Sequence, residues 1–218
     1  MTCCSCDEIG QQFDSKTAEK DLRRFRRRGP IRSTRLLIDE LLAIGVGGAS
    51  VLDIGGGIGA IHHALLDAGA TAATHVDLSA EYIAAARDES TRRGHADRVQ
   101  FVHADFVTVA TDLGDADVVT LDRVICCYPD LDGLVARAAG KARRLFGAVY
   151  PRDVWWMRLS VTLVNVVCRI RRTTFRVFVH PPALIDAALR QQGFERRALR
   201  RTLPWEVVTY ARLEAHAS

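Results

Sequence analysis

Read as a string of apolar and polar positions, the chain changes period many times along its 218 residues. Residues 15 to 28 place apolar side chains at helical spacing and stop at Gly29-Pro30, and residues 31 to 44 repeat that period up to Gly45. Beyond Gly45, short apolar runs alternate with helical ones. VLDI (51–54) predicts a strand, AIHHALLDAG (60–69) a helix closed by Gly69, ATHVDLS (73–79) a strand, and residues 80 to 93 a helix with Gly94 just past its end. VQFVHAD (99–105) and ADVVTLD (116–122) predict strands, 131 to 144 a helix, and GAVYP (147–151) a fifth strand. The tail reads as a helix in PPALIDAALRQQGF, then a strand in FERRALRRT, Pro204, and a strand in WEVVTYARL. Strands spaced by helices of this length imply a doubly wound α/β fold, a mostly parallel sheet covered on both faces. The last two strands, with only a turn between them, imply an antiparallel edge hairpin.

One segment fits neither period cleanly. WWMRLSVTLVNVVCRIRR lies between the fifth strand and FRVFVH, which reads as a further strand. It is too short and too interrupted to span a bilayer. Arg158, Thr162, Asn165, Arg169 and Arg172 recur at helical spacing, so a narrow polar stripe runs along a broadly apolar helix. Such a helix is either buried against the domain, or a lid or interfacial helix serving an apolar or amphiphilic ligand. The latter reading keeps a peripheral membrane contact open.

A composition that is 48% hydrophobic and 7% aromatic suits a globular chain with a sizeable core. The net charge of +4 hides an asymmetry: LRRFRRRGP and the stretch from Arg137 to Arg201 are basic, while the acids concentrate between Asp53 and Asp132. A basic face raises nucleic acid or an anionic membrane as partners, against a plain solvated helix face. The N-terminus shows no secretory pattern, and cysteines paired as neighbours make a poor disulfide framework, so a reducing cytoplasm is expected.

The chemistry concentrates in VLDIGGGIGA. A triphosphate loop needs a lysine and a hydroxyl residue after its last glycine, and neither follows Gly59. A dinucleotide fingerprint is satisfied by Gly55, Gly57 and Ala60, with Asp77 at the ribose-binding distance, so the glycines alone leave that reading open. Three features turn the balance: Asp53 gives D-x-G-x-G-x-G, Asp105 ends the third strand where it can meet an exocyclic amine, and the chain has no second domain for a hydride acceptor.

Taken together, VLDIGGGIG, HVDLS, HAD and DVVTLDRVICCYPD resemble, in order and spacing, the class I S-adenosylmethionine-dependent methyltransferases, over residues from about 45 to 213. The resemblance implies a seven-stranded Rossmann-like sheet. It also implies a methyltransferase domain over residues 45–218 with the apolar helical insertion at about 153–172, preceded by an N-terminal helical cap over residues 1–44. It implies S-adenosylmethionine as cofactor, with Gly55, Gly57 and Gly59 against its methionine and ribose parts. Asp77 would take the ribose hydroxyls, Leu78 would pack beside the adenine, and Asp105 and Phe106 would hold the adenine edge and face. Asp53 would orient the ammonium group, and Asp122 would lie near the methionine end.

Small-molecule members of that family resemble N-x-V-L-x-H-x-P-D after the fourth strand, and here Cys127 stands at the histidine position. That leaves Tyr128, His180 and Cys127 as the candidates for positioning an acceptor. The D/N-P-P-Y/F motif of nucleobase amino-methylation is absent, as is the Pro-Cys context of cytosine-C5 enzymes, which argues against a nucleic-acid substrate. ICCYPD, TYARL and the spacing from Phe13 to Phe25 are loosely similar to magnesium-protoporphyrin O-methyltransferases, which favours O-methylation of an apolar small molecule. Cys3, Cys4 and Cys6 could approach Cys126 and Cys127 to hold a soft metal or metalloid, although their spacing is not that of a zinc ribbon. No metal ligands are assigned.

Overall fold

The computed structural model describes residues 15–213, so Cys3, Cys4, Cys6 and Phe13, with the thiol-cluster expectation that rests on them, lie outside the described residues. Two helices open the described chain, α1 (Ser15–Arg28) and α2 (Arg32–Ile44). Then follow β1 (Ser50–Ile54), α3 (Ala60–Asp67), β2 (Ala72–Asp77), α4 (Ala80–Arg93), β3 (Val99–His103), the short α5 (Phe106–Val109) and β4 (Ala116–Asp122). The second half holds α6 (Leu131–Lys141), β5 (Ala142–Pro151), α7 (Trp155–Ile170), α8 (Pro182–Gln191), β6 (Phe194–Arg201) and β7 (Trp205–Arg212).

The strands form one seven-stranded sheet in the order β3-β2-β1-β4-β5-β7-β6. The five strands from β3 to β5 are parallel, and β7 pairs antiparallel with both β5 and β6. The sheet is mostly parallel with an antiparallel C-terminal edge, as the alternation of periods implies. Its strands are apolar on both faces because helices cover both. Leu52, Val119, Phe146 and Tyr210 point into a core built with α6 and α8. Val51, Val118, Leu145 and Val207 point the other way, into a core built with α2 and α3. Helix α1 lies apart from both, packing Ala18, Leu22 and Phe25 on Ile58 and Tyr82 at the mouth of the glycine loop.

Two expectations change, and one choice left open is decided. Strand β5 begins at Ala142, not Gly147, and so ends helix α6 at Lys141. Leu145 and Phe146 fill opposite cores while Ala116 to Asp122 of β4 supply a ladder for the whole stretch, so pairing overrides the helical period. FRVFVH is not a strand. The edge it would need, alongside β5, is taken by β7, and it runs as an irregular segment held by Asn165, whose side chain bonds both the N–H and the C=O of Val177. Finally, α7 has no buried residue. Trp155 (77% exposed), Leu159, Leu163, Val166 and Ile170 (74%) form one arc turned to solvent. Among the described residues no helix is long and apolar enough to cross a membrane.

Candidate active site

The carboxyl ends of β1, β2 and β4 and the helix pair α1–α2 enclose a cavity of about 310 Å³, where a ligand is expected in an open α/β sheet. Its floor is the loop after β1. Gly55 takes φ +61°, and a Cβ there would stand 2.4 Å from Val124 Cγ2, so only glycine lets the β1 and β4 loops meet. The Gly55 N–H donates to Val76 O (2.7 Å) and the Gly57 N–H to Asp77 Oδ2 (2.9 Å), which fixes the loop to the end of β2. Asp77 also accepts from the Ser79 N–H at 2.9 Å. Burial pushes its carboxyl above the usual range, while the Ser79 and Gly57 amides oppose that rise.

Most expected site residues meet in this cavity. Asp53, Gly55, Gly57, Asp77, Leu78 and Phe106 line it, and from the β4 side so do Asp122, Cys127 and Tyr128. Gly59, Asp105 and His180 do not. Gly59 starts α3 in the left-handed conformation against His62 and His63. Asp105 caps α5 by accepting from Val107 N (3.0 Å) and accepts a hydrogen bond from the Tyr128 hydroxyl. His180 Nε2–H donates to Tyr128 O at 2.8 Å, and its ring stacks on Phe178. Both stand behind Tyr128, one at its hydroxyl and one at its carbonyl.

Asp53 is 1% exposed and both its oxygens are engaged, Oδ1 by the Thr120 hydroxyl (2.7 Å) and Oδ2 by His62 Nδ1 (2.9 Å). Asp122 accepts from the Thr34 hydroxyl and from Arg123 Nε (3.2 Å). Cys126 and Cys127 hold their sulfurs 4.0 Å apart. The Cys126 thiol bonding to its neighbour lowers the Cys127 pKa and raises that of Cys126; Arg123 adds to the lowering at Cys127.

Sequence reasoning missed two groups. The first is the inner face of the helical cap: Thr17, Asp21, Arg24, Phe25, Ile31 and Thr34 complete the cavity wall. Tyr82 donates to Asp21 at 2.7 Å, and Arg26 binds Glu89 (2.8 Å) and Asp88 (2.9 Å), tying α1 to α4. The Ala18, Leu22, Phe25 stripe was the signal that this helix had something to cover. The second is a set of buried histidines beneath the loop. His62, His63 and His75 are 0% exposed, and burial holds each neutral, His62 and His75 down to about 3 and His63 to about 2. His62 Nε2, His63 Nε2 and both nitrogens of His75 have no hydrogen-bond partner. An unsatisfied buried polar atom costs about 1–3 kcal/mol, so such a set is not inert packing.

The profile of a family described as a methyltransferase domain matches residues 51–144, from β1 through β5's first residues, which is the stretch that builds the cavity floor. Residues 51–144 carry a methyltransferase domain. Among curated proteins, none matches the sequence. Among solved structures, a magnesium protoporphyrin IX methyltransferase from Synechocystis PCC 6803 with S-adenosylhomocysteine (SAH) bound superposes at TM-score 0.72 and 19% identity, over 95% of this chain and 100% of that one. An O-methyltransferase family protein from Burkholderia thailandensis superposes at 0.69 and 18% identity, over 92% of this chain and 61% of that one. A mitomycin 7-O-methyltransferase does so at 0.65 and 21% identity, over 93% and 60%.

S-adenosylmethionine is the cofactor of the methyltransferase domain, and the cavity suits it. The bare backbone at Gly55 and Gly57 admits a ligand where a side chain would intrude. The Asp77 carboxylate keeps lone pairs beyond the two used by Gly57 and Ser79. Leu78 and Phe106 supply apolar surface beside it.

Proposed function

We propose that this domain transfers the methyl group to an oxygen of an apolar or amphiphilic small molecule. The observation that carries this reading is Tyr128, which lines the cavity while Asp105 holds its hydroxyl and His180 its carbonyl. With its own proton directed at Asp105, the Tyr128 oxygen can accept from an incoming hydroxyl. The pair then takes the acceptor's proton as the new O–CH₃ bond forms, Tyr128 handing its own to Asp105. A carboxylate acceptor needs only to be oriented. In S-adenosylmethionine the methyl sits on a sulfonium and is already activated, so the chain's main task is alignment in a water-poor cavity, worth effective molarities of ~10⁵ M or more.

Asp77 would take the ribose hydroxyls, and Leu78 and Phe106 would flank the adenine. Gly55 and Gly57 would pass close to the ribose and methionine parts, with Asp122 near the methionine end. Asp53 and Gly59 act from beneath as positioning residues, and Asp105 acts through Tyr128. Cys127 and Tyr128 would face the acceptor. The names of two superposing proteins, an O-methyltransferase family protein and a mitomycin 7-O-methyltransferase, support an oxygen acceptor.

Helix α7 favours an amphiphilic one, delivered from an anionic lipid surface. Its 16 residues include no acid, its solvent-facing arc is apolar, and Arg169, Arg171 and Arg172 are exposed at its end. That is the make-up of a helix lying in a membrane interface. Nucleic acid is not a proposed acceptor: Arg23, Arg24 and Arg26 of the basic run are engaged by Glu19, Asp21, Asp88 and Glu89.

Incubation with S-adenosylmethionine and a panel of hydroxy, carboxy, amino and thiol amphiphiles, read by mass spectrometry, tests the reading. Methyl ethers or esters are expected; methylation confined to nitrogen would overturn it. The paired thiols of Cys126 and Cys127 favour one second reading, thiol-dependent methylation of a metalloid, and arsenite in the panel separates the two.

A further inference from the structure

We propose that Asp53, His62 and His75 form a binding site for one divalent transition-metal ion of the zinc class, set beneath the cofactor loop. One ligand atom from each lies within 4.8 Å of the other two. The three come from different elements, the end of β1, α3 and β2, and all are buried. Two imidazoles and one carboxylate are a common donor set for such ions.

The second observation is the unpartnered nitrogens. A neutral imidazole carries one N–H and one lone pair, yet neither nitrogen of His75 meets a protein partner, nor does Nε2 of His62. His75 packs 5.3 Å from Phe101 and 5.2 Å from His62, ring to ring, where a second aromatic hydrocarbon would serve a purely apolar core better. The glycines above keep space open for these atoms. A Cβ on Gly56 would lie 2.6 Å from His75 Nδ1 and 2.9 Å from Asp53 Oδ2; one on Gly59 would lie 2.7 Å from His62 Nε2 and 2.9 Å from His63 Nε2. Any side chain at Gly56 or Gly59 would push these donor atoms apart.

Because Asp53 also lines the cofactor cavity, an ion here clamps the end of β1 and couples its own occupancy to cofactor affinity. The ion is structural: it lies under the loop and takes no part in the transfer chemistry. The proposal is therefore independent of the acceptor.

The test uses the full chain with no affinity tag, stripped with a chelator and titrated with Zn(II) and Co(II). Expected are one bound equivalent by elemental analysis, a visible Co(II) d–d spectrum without a thiolate charge-transfer band, and a higher Tm with Zn(II). His75→Phe and His62→Gln should bring bound metal close to zero, while Cys4→Ser, Cys127→Ser and His103→Asn should retain it. If the histidine variants fail to fold, the wild-type Co(II) spectrum still decides. Less than a tenth of an equivalent in the wild type, or a thiolate-to-cobalt band, overturns the proposal.

Discussion

Replacing Gly55 by alanine probes the contact between the β1 and β4 loops that shapes the cavity. Two costs follow from its geometry. At φ +61° an alanine sits in the left-handed region, at about 1–2 kcal/mol. Its methyl also falls 2.4 Å from Val124 Cγ2, far inside carbon contact at roughly 3.5–4.0 Å, and relieving such an overlap costs about 1–3 kcal/mol. Gly55→Ala is therefore expected to destabilise the protein by about 2–5 kcal/mol. Val124→Ala removes both γ carbons and leaves Val124 Cβ 3.5 Å from the new methyl, an ordinary contact. In the double variant the overlap is relieved, leaving the left-handed cost and that of truncating Val124, which packs against the core, so the pair should show a favourable coupling of about 1–3 kcal/mol. Urea unfolding of the four proteins measures that coupling. Calorimetric titration with SAH should show affinity falling in Gly55→Ala and partly recovering in the double variant. A coupling within roughly 0.5 kcal/mol of zero would refute the assigned contact.

Asp77→Ala should weaken SAH binding by about 1–3 kcal/mol, or roughly 5- to 150-fold in Kd, by removing charge-assisted acceptors; an unchanged Kd would remove Asp77 from the site. Glu89 is the tether of the helical cap: burial works to raise its pKa, but Arg92, Arg26 and Arg93 hold it well below the carboxylate range. Its stabilisation is thus fully present above about pH 4.5 and is lost as the pH falls through the folded-state value. Because those arginines are a quarter to a half exposed, Glu89→Gln should cost only about 1–3 kcal/mol at pH 7. The gap from wild type should narrow at pH 3, and one independent of pH would contradict the tether. Leu163→Glu on α7 should cut co-sedimentation with phosphatidylglycerol vesicles by roughly ten- to a hundredfold, the worth of one buried leucine, while leaving Tm unchanged. Equal sedimentation of the two proteins would remove the membrane from the reading.

What the linear sequence discloses, and what it hides, follows from the range of the interactions involved. The glycine loop, Asp77 and the alternating periods are local signals, because positive φ, strand-end acids and two-sided burial act on neighbours in the chain. Tyr128 and Cys127 could be placed for the same reason, riding on the segment just after β4. The histidine group could not: Asp53, His62 and His75 are separated by a helix and a strand, and the pair in AIHHALLD looks like ordinary helix filling until α3 is packed on β2. Nor could the orientation of α7, since an apolar arc has the same spacing whether it faces a core or a lipid surface. FRVFVH misled because strand propensity says nothing of whether an edge is free to receive it.

Strand β6 closes one side of the sheet, and its outward backbone row has no neighbour among the described strands. Along it stand Arg196, Arg197, Arg200 and Arg201, with a single acid, Glu195. Ion pairs to Asp186, Glu195, Glu40 and Glu206 pin these long charged side chains along the edge, where they hinder a second strand from docking and so guard the margin against templated fibre growth. Swapping those arginines for threonines would keep the ladder and remove the guard, leaving a margin primed to stack.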